Sequence, residues 1–158
     1  MNLGDLPARE SSPPDDPGGG TLYPTILVPL ELEEGEGAIL DHVARLAALC
    51  GSEVILLHVA SGWRGRYFQG RLQDPEEEVL RNRLSRRVEH LSDRGVESRG
   101  EIRYGTPGSG IVEAAAELEA DLIAMATHGH RGVLDLLLGS AASEVRHQVS
   151  IPVLLLRK

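Results

Sequence analysis

Four stretches of this chain are almost continuously apolar: TILVPL (25–30), EVILLHVA (53–60), DLIAMAT (121–127) and IPVLLLRK (151–158). A strand with one wet face alternates apolar and polar residues, whereas a run apolar on both sides must be covered on both faces. Between these runs lie segments of helical period. GAILDHVARLAALCG carries Ile39, Val43, Leu46 and Ala47 on one face and stops at Gly51. PEEEVLRNRLSRRVEHLSDRG opens on a proline and acids and closes on basic residues and Gly95. A more polar strand, VESRGEIRYG, then belongs nearer a sheet edge, and TPGSGIVEAAAELEA reads as a helix reaching about Ala120. A last helix spans Gly139–Gln148. Strands alternating with helices, joined by right-handed crossovers, predict an α/β fold: a doubly wound, five-stranded parallel sheet with helices on both faces.

Composition narrows what such a fold does. Aromatic residues are 3% of the 158, so the core is aliphatic. A net charge of -8 argues against nucleic acid, whose phosphates require basic faces. No apolar run reaches the ~20 residues of a membrane span, and no secretory signal is visible, so the expected location is the cytoplasm. The one cysteine, Cys50, excludes an internal disulfide and reads as a buried, inert thiol. Residues 1–22, with SSPPDDPGGG, read as a disordered tail, which leaves 23–158 as the single folded domain.

Doubly wound sheets bind ligands beyond the carboxyl ends of their strands, where the strand order reverses. The loop leaving the fourth strand is therefore the first place to look. It runs ATHGHRGVLDLLLGSA, with nine residues between Gly129 and Gly139-Ser140. Ser140 opens a helix, whose free amides and positive dipole end favour a phosphate. Ser140 as a simple helix cap and the glycines as simple turn residues would account for the same pattern. The lysine-serine pair of a Walker A loop is missing. Arg131 stands in the loop with a fork of donors that suits phosphate.

The spacing G-x-x-G, nine residues, G-S, together with ILVPL, EVILLHV, YGTPGSGIVEAAAELEADLIAMATHG, LLLGSAASEV and IPVLLLRK in that order, resembles the universal stress protein family from Pro24 onward. The resemblance implies an adenine-nucleotide α-hydrolase-like fold. It implies a bound adenine nucleotide (ATP, or AMP or ADP) with Mg2+ carried on the phosphates. Carried onto this chain, Pro29, Leu30 and Glu31 meet the adenosine end and Val59 walls the base. Met125, Ala126, His128 and Gly129 form the glycine loop, and Gly139, Ser140 and Ala141 complete the phosphate end. The resemblance also implies a homodimer through the C-terminal strand, and a regulatory role exercised on a protein partner that the sequence does not name.

The sequence departs from the family at two places. Ala126 stands where a glycine is usual, which costs ~1 kcal/mol or more if its φ is positive. Glu31 stands for aspartate, and Leu32, Glu33 and Glu34 replace a small Gly-Ser pair, adding negative potential. The alternative function is a nucleotide-free homodimer of the same type acting through protein–protein contacts.

Among the remaining residues, His58 reads as a hydrogen-bonded core histidine, and Arg81–Arg87 as a solvated helix face with Leu84 and Val88 turned inward. His128 and His130 form an H-x-H pair with no third ligand near in sequence, so no resident metal is expected. No nucleophile–base pair stands out, which predicts a protein that is not an enzyme, with slow ATP hydrolysis at most.

Overall fold

Ile26, Leu27 and Val28 are wholly buried although they are consecutive, because helices cover both faces of the strand they form. The computed structural model describes residues 21–61, 75–127 and 140–157. Within them the chain runs β1 (Thr25–Pro29), α1 (Gly37–Cys50), β2 (Glu53–Ala60), α2 (Pro75–Ser92), β3 (Ser98–Tyr104), α3 (Pro107–Glu117), β4 (Leu122–Thr127), α4 (Ser140–Gln148) and β5 (Val153–Arg157). The five strands form one sheet in the order β3-β2-β1-β4-β5, and every pairing is parallel. This is the doubly wound α/β fold that the alternating pattern predicts.

Alternation of side chains along each strand sorts the core into two layers. Ile26 and Val28 face α1 and α2, where Val43, Ala47, Leu84 and Leu91 pack against them. Leu27, Ile55 and Leu57 face α3 and α4, meeting Ile111, Ala114 and Val145. Pro29 ends β1 in register with Leu57, where its missing N–H costs the ladder least. The starts of β1 and β4 are tied reciprocally: Thr25 N–H donates to Asp121 Oδ2, and Asp121 N–H to Thr25 O, each at 2.9 Å. β3 lies at one edge, as its polarity implies. Arg99 pairs there with Glu53 at 2.8 Å, and Arg103 with Glu101 and Glu117 at 2.7 Å each. β5 is the opposite edge, with Leu154, Leu155 and Leu156 half-buried.

Two expectations shift. α3 stops at Glu117 rather than near Ala120, because Glu119 turns left-handed at φ 51. Ala120 N–H then donates to Ala115 O at 2.9 Å and Glu119 N–H to Ala116 O at 3.3 Å, a Schellman closure with glutamate in the place glycine usually takes. Cys50 is half-buried at the end of α1 rather than fully enclosed. The tail expected at residues 1–22 lies outside the described residues apart from Thr21 and Leu22.

Candidate functional site

The chain leaves β1 for β2 and β3 on one side, then returns to place β4 on the other, so the strand order reverses between β1 and β4. A cleft of about 310 Å³ opens there, at the carboxyl ends of the strands. Pro29, Leu30 and Glu31 form one wall at the exit of β1; Leu57, His58 and Val59 come from β2. Met125 and Ala126, from the end of β4, stand across from them. Pro107 and Ile111 close the side toward α3, and Ala141, in the first turn of α4, marks the far end.

Close packing shapes these walls. A Cβ placed on Gly110 would stand 2.9 Å from Val59 Cγ1, so the absent side chain lets α3 lie against β2 and leaves Val59 facing the cleft. His58 Nδ1–H donates to Leu30 O at 2.8 Å, the hydrogen-bonded histidine the sequence suggests, and it also lines the cleft. Ala126 sits within β4 and is not among the residues with positive φ. Its methyl therefore carries no left-handed penalty, because the backbone is still extended where glycine is usual.

Positive φ falls elsewhere, on Leu32, at 61. A left-handed residue with a Cβ costs about 1–2 kcal/mol. Leu32 offsets this by burying its side chain to 2% exposure in the core, worth roughly 1.5–3 kcal/mol. The conformation is also held by Glu36, which at 3% exposure is one of two buried polar residues among those described. Its Oε1 accepts the N–H of Glu31 at 2.8 Å and of Leu32 at 3.0 Å. Arg87 of α2 approaches from outside, Nε 3.4 Å from Glu36 Oε2 and Nη2 donating to Glu33 O at 2.9 Å. Glu36 thus does not add free negative potential to the cleft, and Arg87 is not part of a solvated face. Arg81, Arg83 and Arg86 are exposed, as expected of that face.

Of the residues the sequence nominates, Pro29, Leu30, Glu31, Val59, Met125, Ala126 and Ala141 meet around the cleft. Ser140 is exposed and is the first residue of α4. His128, Gly129, His130, Arg131 and Gly139 lie outside the described residues. Sequence reasoning missed Glu33, Glu36, Leu57, His58, Ser61, Pro107 and Ile111 as lining residues. Pro107 and Ile111 had a signal, because they open the helix that follows a strand end. Glu36 had none, since its inward turn depends on the loop folding back so that the Glu31 and Leu32 amides meet its carboxylate. Among the described residues no cluster of histidine, cysteine and carboxylate side chains is arranged to hold a metal ion. No helix among them is long and apolar enough to cross a membrane.

Comparison with known proteins agrees with this architecture. The sequence model of the universal stress protein family matches residues 22–157. The universal stress protein MJ0577 of Methanocaldococcus jannaschii is 28% identical over 156 residues, covering 87% of this chain and 96% of that one. Its solved structure superposes with a TM-score of 0.72 at 30% identity, over 87% of this chain and 97% of its own. The universal stress protein of Archaeoglobus fulgidus, solved in complex with dAMP, shares the fold at a TM-score of 0.64 and 23% identity, over 85% and 98% of the two chains. A further universal stress protein, solved in complex with cAMP, does so at 0.67 and 20%, over 85% and 97%. With nearly its whole described length matched in sequence and fold, this chain belongs to the universal stress protein family.

Proposed function

We propose that the chain binds an adenine nucleotide in the strand-end cleft and acts as a regulatory module in a stress response rather than as an enzyme. The observation that carries this reading is the cleft itself. It lies where the strand order reverses, with Val59 available to wall a base, Met125 and Ala126 available to a ribose, and α4 beginning at its far end. A volume of about 310 Å³ suits a nucleoside, and the α4 N-terminus offers amides and a dipole to phosphates beyond it. Relatives of the same fold are solved with dAMP and cAMP. In this reading Pro29, Leu30, Glu31 and Val59 meet the adenosine, and Met125, Ala126, His128 and Gly129 line the ribose. Arg131, Gly139, Ser140 and Ala141 serve the phosphates. ATP is the expected form, with Mg2+ held by phosphate oxygens and water.

The partner surface in this reading is β5, an apolar edge that pairs with its copy in a cytoplasmic homodimer formed by residues 23–158. Nucleotide state then alters how the dimer meets a protein partner.

The test is direct. Freshly purified protein is denatured, the released small molecules are separated by anion exchange beside adenine-nucleotide standards, and ATP with Mg2+ is titrated calorimetrically. Stoichiometric ATP or ADP, or micromolar binding abolished by Gly129→Asp, supports the reading. Empty protein that ignores millimolar ATP overturns it in favour of a nucleotide-free dimer acting through protein contacts.

A further inference from the structure

α1 carries the chain back to the amino ends of the strands, the end of the sheet opposite the cleft, and the described residues begin there. Thr21 Oγ1 lies 3.9 Å from where a Cβ on Gly51 would stand, and Gly51 caps α1. Of the four large hydrophobic residues exposed among those described, two are at this end, Leu22 at 73% and Leu49 at 86%. An open groove runs along α1 beside Leu49, lined by Asp41, Ala44, Arg45 and Ala48, with Arg94 from the turn after α2 on its far side. The alanine methyls give it a shallow floor. Asp41 Oδ1 is already engaged by His90 Nε2 and Arg94 Nη2, at 2.9 Å each, and Arg94 Nη1 donates to His90 O at 2.9 Å. Arg45 is exposed and makes no hydrogen bond or ion pair among the described residues. The groove thus offers an unpaired guanidinium next to an uncovered leucine.

We propose that this groove is the docking site of an acidic segment of the same chain, Pro13–Pro17, whose Asp15 and Asp16 pair with Arg45 while its prolines cover Leu49. Residues 1–20 carry four acids against one arginine, and the two adjacent acids are bracketed by Pro14 and Pro17. The reach fits. Asp16 precedes Thr21 by five residues, which span at most about 17 Å, whereas Arg45 stands only about 9 Å back along α1 from Gly51. Gly18–Gly20 allow the chain to turn back over the helix. Proline fixes φ, so a segment holding three of them loses less freedom on docking than an ordinary one. A short tether also keeps the segment at about millimolar local concentration, enough for contacts too weak to hold a separate peptide. Docked there, the segment stands clear of the strand-end cleft and is a cover that any partner of the α1 face must displace.

The experiment attaches a nitroxide to the full-length protein at Ser12→Cys, with Cys50→Ala removing the native thiol, and follows the amide signals by NMR. Docking is expected to broaden Ala44, Arg45, Ala48 and Leu49 and to spare Ile111 and Val145, which pack on the opposite face of the sheet. Arg45→Glu should lower the docked-to-free ratio by about 2- to 30-fold, because an exposed ion pair gives way to a like-charge contact. Adding Asp15→Lys and Asp16→Lys to the Arg45→Glu chain should restore the broadening. Raising the salt to about 0.5 M should weaken it in the parent chain, since exposed charges are then screened within a few ångströms. If Cys50→Ala does not fold, the native-cysteine chain serves instead: Asp15→Asn with Asp16→Asn should shift the same four amides, and unshifted amides overturn the proposal. Broadening that is absent, spread evenly over the surface, or indifferent to both Arg45→Glu and salt also overturns it. A mixture of isotope-labelled chains with nitroxide-bearing unlabelled ones should show no broadening at α1. Broadening found only in that mixture assigns the groove to the tail of a second copy and overturns docking within one chain.

Discussion

Gly110 of α3 and Val59 of β2 are in contact across the side of the cleft, with room for a hydrogen where any other residue would carry a carbon. A Cβ on Gly110 would lie 2.9 Å from one Val59 methyl and 3.2 Å from the other. Valine is stiff at χ1, so it cannot simply swing aside. Gly110→Ala should therefore push Val59 toward the cleft or α3 away from the sheet, destabilising the fold by about 1–3 kcal/mol. If the nucleotide reading holds, calorimetry should also show ATP binding weakened by more than the stability loss alone explains. An alanine variant with unchanged melting temperature and affinity would contradict this packing.

Glu119 gives the opposite kind of prediction. It is exposed and left-handed at φ 51, and it closes α3 without any need for its own side chain. Replacing it with glycine removes a Cβ penalty of about 1–2 kcal/mol and restores part of that as unfolded-state entropy. Glu119→Gly should raise stability by about 0.5–1 kcal/mol in urea denaturation, with an unchanged m-value.

The surface contact between α1 and α2 carries a pH signature. Asp41 Oδ1 lies 2.9 Å from His90 Nε2 and 2.9 Å from Arg94 Nη2. The hydrogen bond from His90, aided by the charge of Arg94, holds the Asp41 carboxyl below the usual carboxylate range. A depressed folded-state value means the ionised form favours the folded chain. The contribution is thus full above the ordinary aspartate value of about 4 and fades as pH falls through the lowered one. Wild type should be more stable than Asp41→Asn at pH 6, and the two unfolding curves should converge toward pH 2–3. A difference that persists in acid would assign the effect to something other than this ionisation.

The edge strand β5 tests the proposed homodimer. Ile123 N–H donates to Pro152 O at 3.1 Å, so alternation turns the backbone of Val153 and Leu155 away from β4. Val153→Pro removes an outward N–H at the first residue of the strand, where proline is tolerated. Two-fold symmetry removes it twice. At ~1 kcal/mol for each lost bond, sedimentation should show dimer dissociation strengthened about 10- to 30-fold, with the monomer still folded. A dimer of unchanged affinity would place the interface elsewhere.

How much of this is written along the chain differs from element to element. The continuous apolar runs reveal β1, β2, β4 and β5 because a strand covered on both faces has no position left for polar residues. Gly51 and Pro107 mark helix ends because each meets a backbone demand that is local. The same locality explains Pro29, Leu30, Glu31, Val59, Met125, Ala126 and Ala141. Each stands at or just beyond a strand end or at a helix start, and strand ends in a parallel sheet all point to one side.

Contacts between distant segments were decided by the tertiary structure alone. Whether Ala126 costs anything depends on where β4 stops, and β5 keeps the strand extended through Thr127 by pairing with it. Nothing local announces that Leu32 would take the left-handed position, or that Glu36 would turn inward while Glu33 and Glu34 stay exposed. Arg87 meets that loop from α2, 51 residues further along the chain. The sequence by itself determined the layers, the parallel sheet and the side on which the cleft opens, since periodicity and chain direction encode them. The donors and acceptors lining the cleft were settled only in three dimensions, because contacts such as His58 to Leu30 and Arg87 to Glu36 join segments 28 and 51 residues apart.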